Sequence, residues 1–274
     1  MRVAIIGCGY VGTAIAYHWR QELGFVVTAT TTRQERVTEL SSVPARVVVL
    51  KGDDAAALQS ALQDQDSVLL SVGAPNSNAY SETYLRTAKT LVKVFEQTPT
   101  VQQLIYTGSY AVYGDQNGAW VDEDTPAAPA NQNGEILCNT EQVLLAASSD
   151  RLRVCIFRLG GIYGPGRELV KIFRHAAGKT RPGTGADVTN WIHLDDIVSA
   201  VEEARQKQLQ GIYNLVNDVP LTSRELLERL CERHGLAQVS WNPSAPQIRP
   251  YNARVSNQKL KAAGYQFIHP ETVV

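Results

Sequence analysis

Short apolar, β-branched runs alternate with longer stretches of helical spacing over the first 160 residues. Val3–Ile6, Phe25–Thr30, Val47–Leu50, Ser67–Val72, Gln103–Thr107 and Arg153–Phe157 read as strands. Stretches near 11–22, 34–41, 54–63, 78–97 and 134–147 read as the helices between them. Apolar strands that do not alternate with polar residues predict a parallel sheet covered on both faces. Six of them suit a doubly wound order, so the expected class is α/β with a doubly wound parallel sheet.

Beyond residue 165 the pattern changes. Helices near 167–177, 195–208 and 222–234 are separated by short strands (Trp191–Ile192, Ile212–Leu215) and by turns such as Arg181-Pro-Gly-Thr-Gly. With no Ser- or Gly-rich linker, residues 166–274 are expected to form a small mixed α/β lobe interwoven with a domain of residues 1–165, not a freely separate body.

Composition narrows the function classes. Apolar residues make up 44% of the chain and charged residues 19%, enough for a sizeable core. A formal net charge of −1 argues against nucleic acid or an anionic membrane as partner. No apolar run approaches the ~18 residues of a membrane span, and the four apolar residues after Arg2 are needed as a strand, not a signal peptide. A cytoplasmic location is expected. Cys8, Cys138, Cys155 and Cys231 are scattered, as are the five histidines, so no metal site is expected.

The clearest chemistry lies at Gly7-Cys8-Gly9-Tyr10-Val11-Gly12, between an apolar strand and an amphipathic helix. In that context Gly7 permits a tight turn, Gly9 lets the backbone approach a pyrophosphate, and Gly12 lets helix and strand pack closely. Residues 1–165 therefore read as a Rossmann-type dinucleotide-binding domain. The second strand ends Thr28-Ala-Thr-Thr31-Thr-Arg33-Gln-Glu-Arg36, with no acid to accept bonds from a ribose 2′-OH. Hydroxyls such as Thr31 followed by the Arg33 guanidinium suit a 2′-phosphate, so NADP is expected ahead of NAD. Arg33 and Arg36 can equally be solvated first-turn residues. Asp53 is a candidate contact to adenine and Asp54 a candidate helix cap. Gly73-Ala74-Pro75 is expected across the cofactor from the glycine loop.

Further along come Gln103-Leu-Ile-Tyr-Thr107-Gly-Ser109-Tyr110-Ala-Val-Tyr113-Gly, Trp120-Val-Asp-Glu, Phe157-Arg158-Leu-Gly-Gly-Ile-Tyr163-Gly-Pro-Gly and Trp191-Ile-His193-Leu-Asp195-Asp196. With the glycine loop, in this order, the chain resembles the extended short-chain dehydrogenase/reductases. Within them it is similar to the NAD-dependent epimerase/dehydratase family that acts on nucleotide sugars. The resemblance implies a small-molecule substrate, a nucleotide sugar among the candidates, and dimerisation through helices near 78–97 and 134–147. It also implies a Ser or Thr, a Tyr and a Lys that move a proton as hydride passes to or from the cofactor. Ser109 matches the first, and Thr107 on the same strand is a candidate cofactor contact. The Tyr and Lys positions fall on Asn133 and Leu137, and no tyrosine or lysine occurs from Asp115 to Ile162. The chain thus resembles atypical members that keep the cofactor fold without the usual proton-transfer pair.

Tyr110 is the candidate replacement, with water as the alternative; Tyr113, Cys138 and Glu141 are expected to serve structure. Arg158 and Arg249 are candidate substrate ligands. Two readings stay open: a reductase or epimerase with non-standard proton transfer, and a non-catalytic dinucleotide-binding or redox-sensing module acting through a protein partner.

Overall fold

The computed structural model describes residues 1–43, 46–246 and 250–274. Along the chain the first strands are β1 (Arg2–Ile6), β2 (Val26–Thr31), β3 (Arg46–Val49), β4 (Ser67–Leu70) and β5 (Gln103–Ser109). Helices α1 (Tyr10–Tyr17), α2 (Arg36–Leu40), α3 (Ala55–Leu62) and α4 (Thr87–Gln97) connect them. Then follow β6 (Asp115–Val121), α5 (Gln132–Ala146), β7 (Arg153–Leu159), β8 (Gly161–Tyr163), α6 (Leu169–Phe173), β9 (Thr180–Pro182), β10 (Val188–Thr189) and β11 (Trp191–His193). The remainder is α7 (Leu194–Gln206), β12 (Gly211–Leu215), β13 (Leu221–Thr222), α8 (Ser223–Arg233), β14 (Ser240–Asn242), β15 (Asn252–Val255) and α9 (Gln258–Ala262).

Seven strands form one sheet in the order β12-β7-β5-β4-β1-β2-β3. β1 pairs in parallel with both β2 and β4, Val3 lying opposite Val27 on one side and Ser67 on the other. The chain therefore winds outward in both directions from β1, and a crevice opens beyond the carboxyl ends of β1 and β4. Val3, Ala4, Ile5 and Ile6 are all buried, as an unbroken apolar run in a covered parallel sheet requires. The doubly wound α/β expectation holds, with one addition: Gly211–Leu215, assigned from sequence to the C-terminal lobe, is the sheet's edge strand. Its neighbour in the sheet is β7, and the Tyr213 and Phe157 rings meet at 6.3 Å.

The chain divides into two compact units, residues 1–109, 132–158 and 198–213 in the first, and 110–131, 159–197 and 214–274 in the second. In the first unit the segment 198–213 is tied in by buried polar contacts. The Trp19 indole N–H donates to Glu202 at 2.9 Å, and the Gln103 amide donates to the Ala204 carbonyl at 2.8 Å.

The second unit is built from small ladders: β6 with β15, β8 with β11 and β9 with β14 in parallel, β10 with β13 antiparallel. Tyr163, Leu169, Leu221, Leu226 and Leu230 form a core there. Asp196 holds the C-terminal segment by accepting from the Ile268 N–H at 2.6 Å, the His269 N–H at 3.0 Å and the Tyr265 hydroxyl at 3.0 Å. Among the described residues no helix is long and apolar enough to cross a membrane.

Candidate functional site

The turn from β1 into α1 needs glycine for steric reasons. Gly7 sits at φ +93°, and a Cβ there would lie 2.5 Å from the Ser71 carbonyl oxygen on the neighbouring strand end. A Cβ on Gly12 would lie 2.4 Å from the Gly7 oxygen. Gly9 differs: a Cβ there would meet nothing within 4 Å, so this stretch of backbone borders open space. Gly9 is also the cap residue of α1; it supplies no side-chain cap, and no acid stands in the first turn. A helix N-terminus without a capping side chain, beside open space, suits an anionic group, so these residues fit the pyrophosphate of a dinucleotide. The Val11 side chain is buried in the core, while Tyr10 is half-buried at the turn.

Beside this turn lies a groove of about 380 Å³, lined among others by Gly7, Thr31, Thr32, Lys51, Val72 and Pro75. Three candidates from separate stretches of sequence, Gly7, Thr31 and Pro75, thus meet in one place. Gly73 is exposed, and the Ala74 N–H donates to the Tyr84 hydroxyl at 3.4 Å. Burial pushes the Tyr84 phenol above its ordinary value. Thr107 is buried and donates to the Ser71 hydroxyl, 3.1 Å away.

The charged candidates are arranged less simply. The Arg33 N–H donates to Thr31 Oγ1 at 3.2 Å, but its side chain is 61% exposed and lies 3.9 Å from Glu35. Arg36, for which the sequence leaves a solvated first-turn position open, folds back instead. Its guanidinium donates to the Cys8 carbonyl at 2.6 Å and to Glu39 at 2.9 Å, pinning the glycine loop. The Asp53 carboxylate is 3.3 Å from Arg86, and Asp54 caps α3 by accepting from the Ala57 N–H at 3.0 Å. Lys51 is the residue that sequence reasoning passed over; a cation directly after the third strand was the available signal for it.

Ser109 is half-buried at the carboxyl end of β5. In the second unit Tyr110 is 5% exposed and packs edge-on against Tyr251, with centroids 5.4 Å apart. This places Tyr110, the candidate proton donor, in a buried aromatic contact. Tyr113 is fully buried and its hydroxyl donates to Asn214 at 2.9 Å. On α5, Asn133 is half-buried and Leu137 is 5% exposed. Thr140 and Glu141 are buried on the same helix. Arg158 is 4% exposed and grips Glu141 through both Nε and Nη2, the shortest contact being 2.7 Å. A guanidinium held this way fixes α5 to β7, and the candidate substrate ligand Arg158 is thus paired within the first unit. Arg249 lies outside the described residues.

The second unit has its own cavity of about 400 Å³, lined by Phe173, Arg181, Trp191, Leu226, Leu227 and Trp241 among others. The Trp191 indole Nε1 is buried with no hydrogen-bond partner among the described residues. An apolar, aromatic lining with few polar points is the usual make-up of a small-molecule pocket.

Comparison with known proteins fits this geometry. The sequence profile of the NAD dependent epimerase/dehydratase family matches residues 3–215. Protein YeeZ of Escherichia coli strain K12 is 33% identical over 225 residues, which is 78% of this chain and 77% of that protein. A functionally unknown conserved protein from Silicibacter pomeroyi has a TM-score of 0.83 at 24% identity, covering 99% of this chain and 95% of that one. A dTDP-glucose 4,6-dehydratase from Streptomyces venezuelae, solved with NAD bound, has a TM-score of 0.78 at 19% identity, covering 96% and 90%. At these identities the two structures show the shared fold.

Proposed function

The chain belongs to the NAD-dependent epimerase/dehydratase family, and on that premise we propose that it is an NADP-dependent reductase or epimerase acting on a nucleotide sugar or another small carbonyl compound. The observation that carries this is the uncapped, Gly9-bordered turn opening on a groove with Thr31, Thr32 and Lys51. The turn takes a pyrophosphate, and the groove beside it offers hydroxyls and a cation for a 2′-phosphate, with Arg33 exposed nearby. A nicotinamide held there would supply or accept hydride.

The chain's own residues then have the remaining tasks. Ser109, at the end of β5, orients the substrate carbonyl by donating to its oxygen. Tyr84, whose hydroxyl reaches the loop after β4, supplies the proton. Burial keeps this phenol protonated at neutral pH.

For cofactor choice, Arg33→Ala is expected to weaken NADP binding roughly tenfold in titration calorimetry while leaving NAD unchanged, the loss of one charge-assisted contact. Equal NADP affinity in the variant would remove Arg33 from the site. For turnover, NADPH oxidation is followed by absorbance with a panel of nucleotide sugars and small ketones, in wild type, Ser109→Ala and Tyr84→Phe. One observation favours the second reading, a dinucleotide-responsive module acting through a protein partner: an apolar, buried Leu137 where the family's lysine falls. Micromolar cofactor binding with no oxidation across the panel decides for that module.

A further inference from the structure

The five histidines lie apart in sequence, yet the fold brings two of them onto one carboxylate. His193 ends β11, Asp195 lies in the first turn of α7, and His269 lies in the C-terminal segment, all within the second unit. Asp195 Oδ2 is 3.3 Å from His193 Nδ1 and 3.0 Å from His269 Nε2. The imidazole centroids are 3.9 Å apart, and the three prospective ligand atoms all lie within 4.8 Å of one another. We propose that His193, Asp195 and His269 form a binding site for a divalent transition-metal ion of the zinc class.

Two features support the assignment. The first is spacing. With metal–nitrogen and metal–oxygen bonds of about 2.0–2.2 Å, tetrahedral ligand atoms stand roughly 3.3–3.5 Å apart, close to the two nitrogen–oxygen distances seen here. The second is preorganisation. His193 is held edge-on to Tyr163 at 5.0 Å, and the His269 backbone is fixed by its bond to Asp196. Outer contacts of this kind orient ligands before the ion arrives. His193 and His269 are mostly covered, whereas the Asp195 side chain is 51% exposed, which leaves an entry path and a fourth position for water. The bound ion would fasten the C-terminal segment to the β11–α7 junction.

The test uses tag-free, full-length protein, stripped with chelator and titrated with zinc chloride by calorimetry and with cobalt chloride by visible absorption. One ion per chain is expected, with the absorption bands of tetrahedral or five-coordinate cobalt. His193→Ala and His269→Ala should each weaken zinc at least tenfold, and the control His175→Ala, at an exposed site outside the cluster, should not. Zinc should raise the melting temperature of wild type and control only. Melting curves of the metal-free variants show that they are folded, and His269→Asn provides a milder second replacement. Absence of stoichiometric binding, or binding that survives the loss of His269, overturns the proposal. NADPH binding is measured in parallel; its retention in the variants separates this site from the dinucleotide groove.

Discussion

At the scale of single residues, the two tightest statements concern a hydrogen atom and a guanidinium. Gly12 has no room for a methyl group: the Gly7 oxygen would stand 2.4 Å from its Cβ. Gly12→Ala should displace the loop and lower dinucleotide affinity at least tenfold by calorimetry, with a smaller loss of stability. An alanine variant of unchanged affinity would mean that the pyrophosphate binds elsewhere. Arg158 poses the opposite problem, a charge that must stay. Burial pushes Glu141 upward while Arg158 holds it down. Arg158→Met should cost about 3–5 kcal/mol in urea unfolding, because an unpaired carboxylate remains inside. Removing both charges with Glu141→Leu should recover much of that loss.

At the scale of elements, α8 shows how a local signal becomes stability. Thr222 accepts from the Glu225 N–H at 3.1 Å, and the Glu225 carboxylate accepts from the Thr222 N–H at 2.8 Å, a reciprocal cap. Thr222→Ala should cost ~1 kcal/mol in thermal or urea unfolding. The bonds from Thr222, backbone first, hold the Glu225 carboxyl below its ordinary value. Its contribution is therefore present above the unfolded pKa of about 4.3 and is lost as pH falls through the lower folded value. Wild type minus Glu225→Gln stability should accordingly shrink below pH ~4, and a difference that instead grew on acidification would refute this reading of the cap.

At the scale of the whole molecule, the first unit is completed by a late return of the chain. Residues 198–213 bring Glu202 to Trp19, 183 positions away in sequence, and supply the edge strand. Trp19→Phe removes one hydrogen bond to a buried carboxylate that Arg205 and Gln206 still hold, at a cost of roughly 1–3 kcal/mol. A chain ending at residue 165 lacks β12, the second half of α7 and the Trp19 partner. It is expected to show no cooperative melting transition, as followed by circular dichroism; a sharp transition would establish residues 1–165 as an independent domain.

By itself the sequence determined whatever depends on spacing along the chain. Strand and helix alternation, the glycine turn, the absence of an acid after β2, and the missing tyrosine and lysine on α5 are all one-dimensional patterns. Their physical causes, pleat, helical turn and steric room, act over a few residues. Tertiary structure decided the rest. It placed Arg36 on the Cys8 carbonyl, paired Arg158 with Glu141, packed Tyr110 onto Tyr251, and set His269 beside Asp195, 74 positions away. Such pairings follow from where the packed elements end, and no periodicity in the chain encodes them.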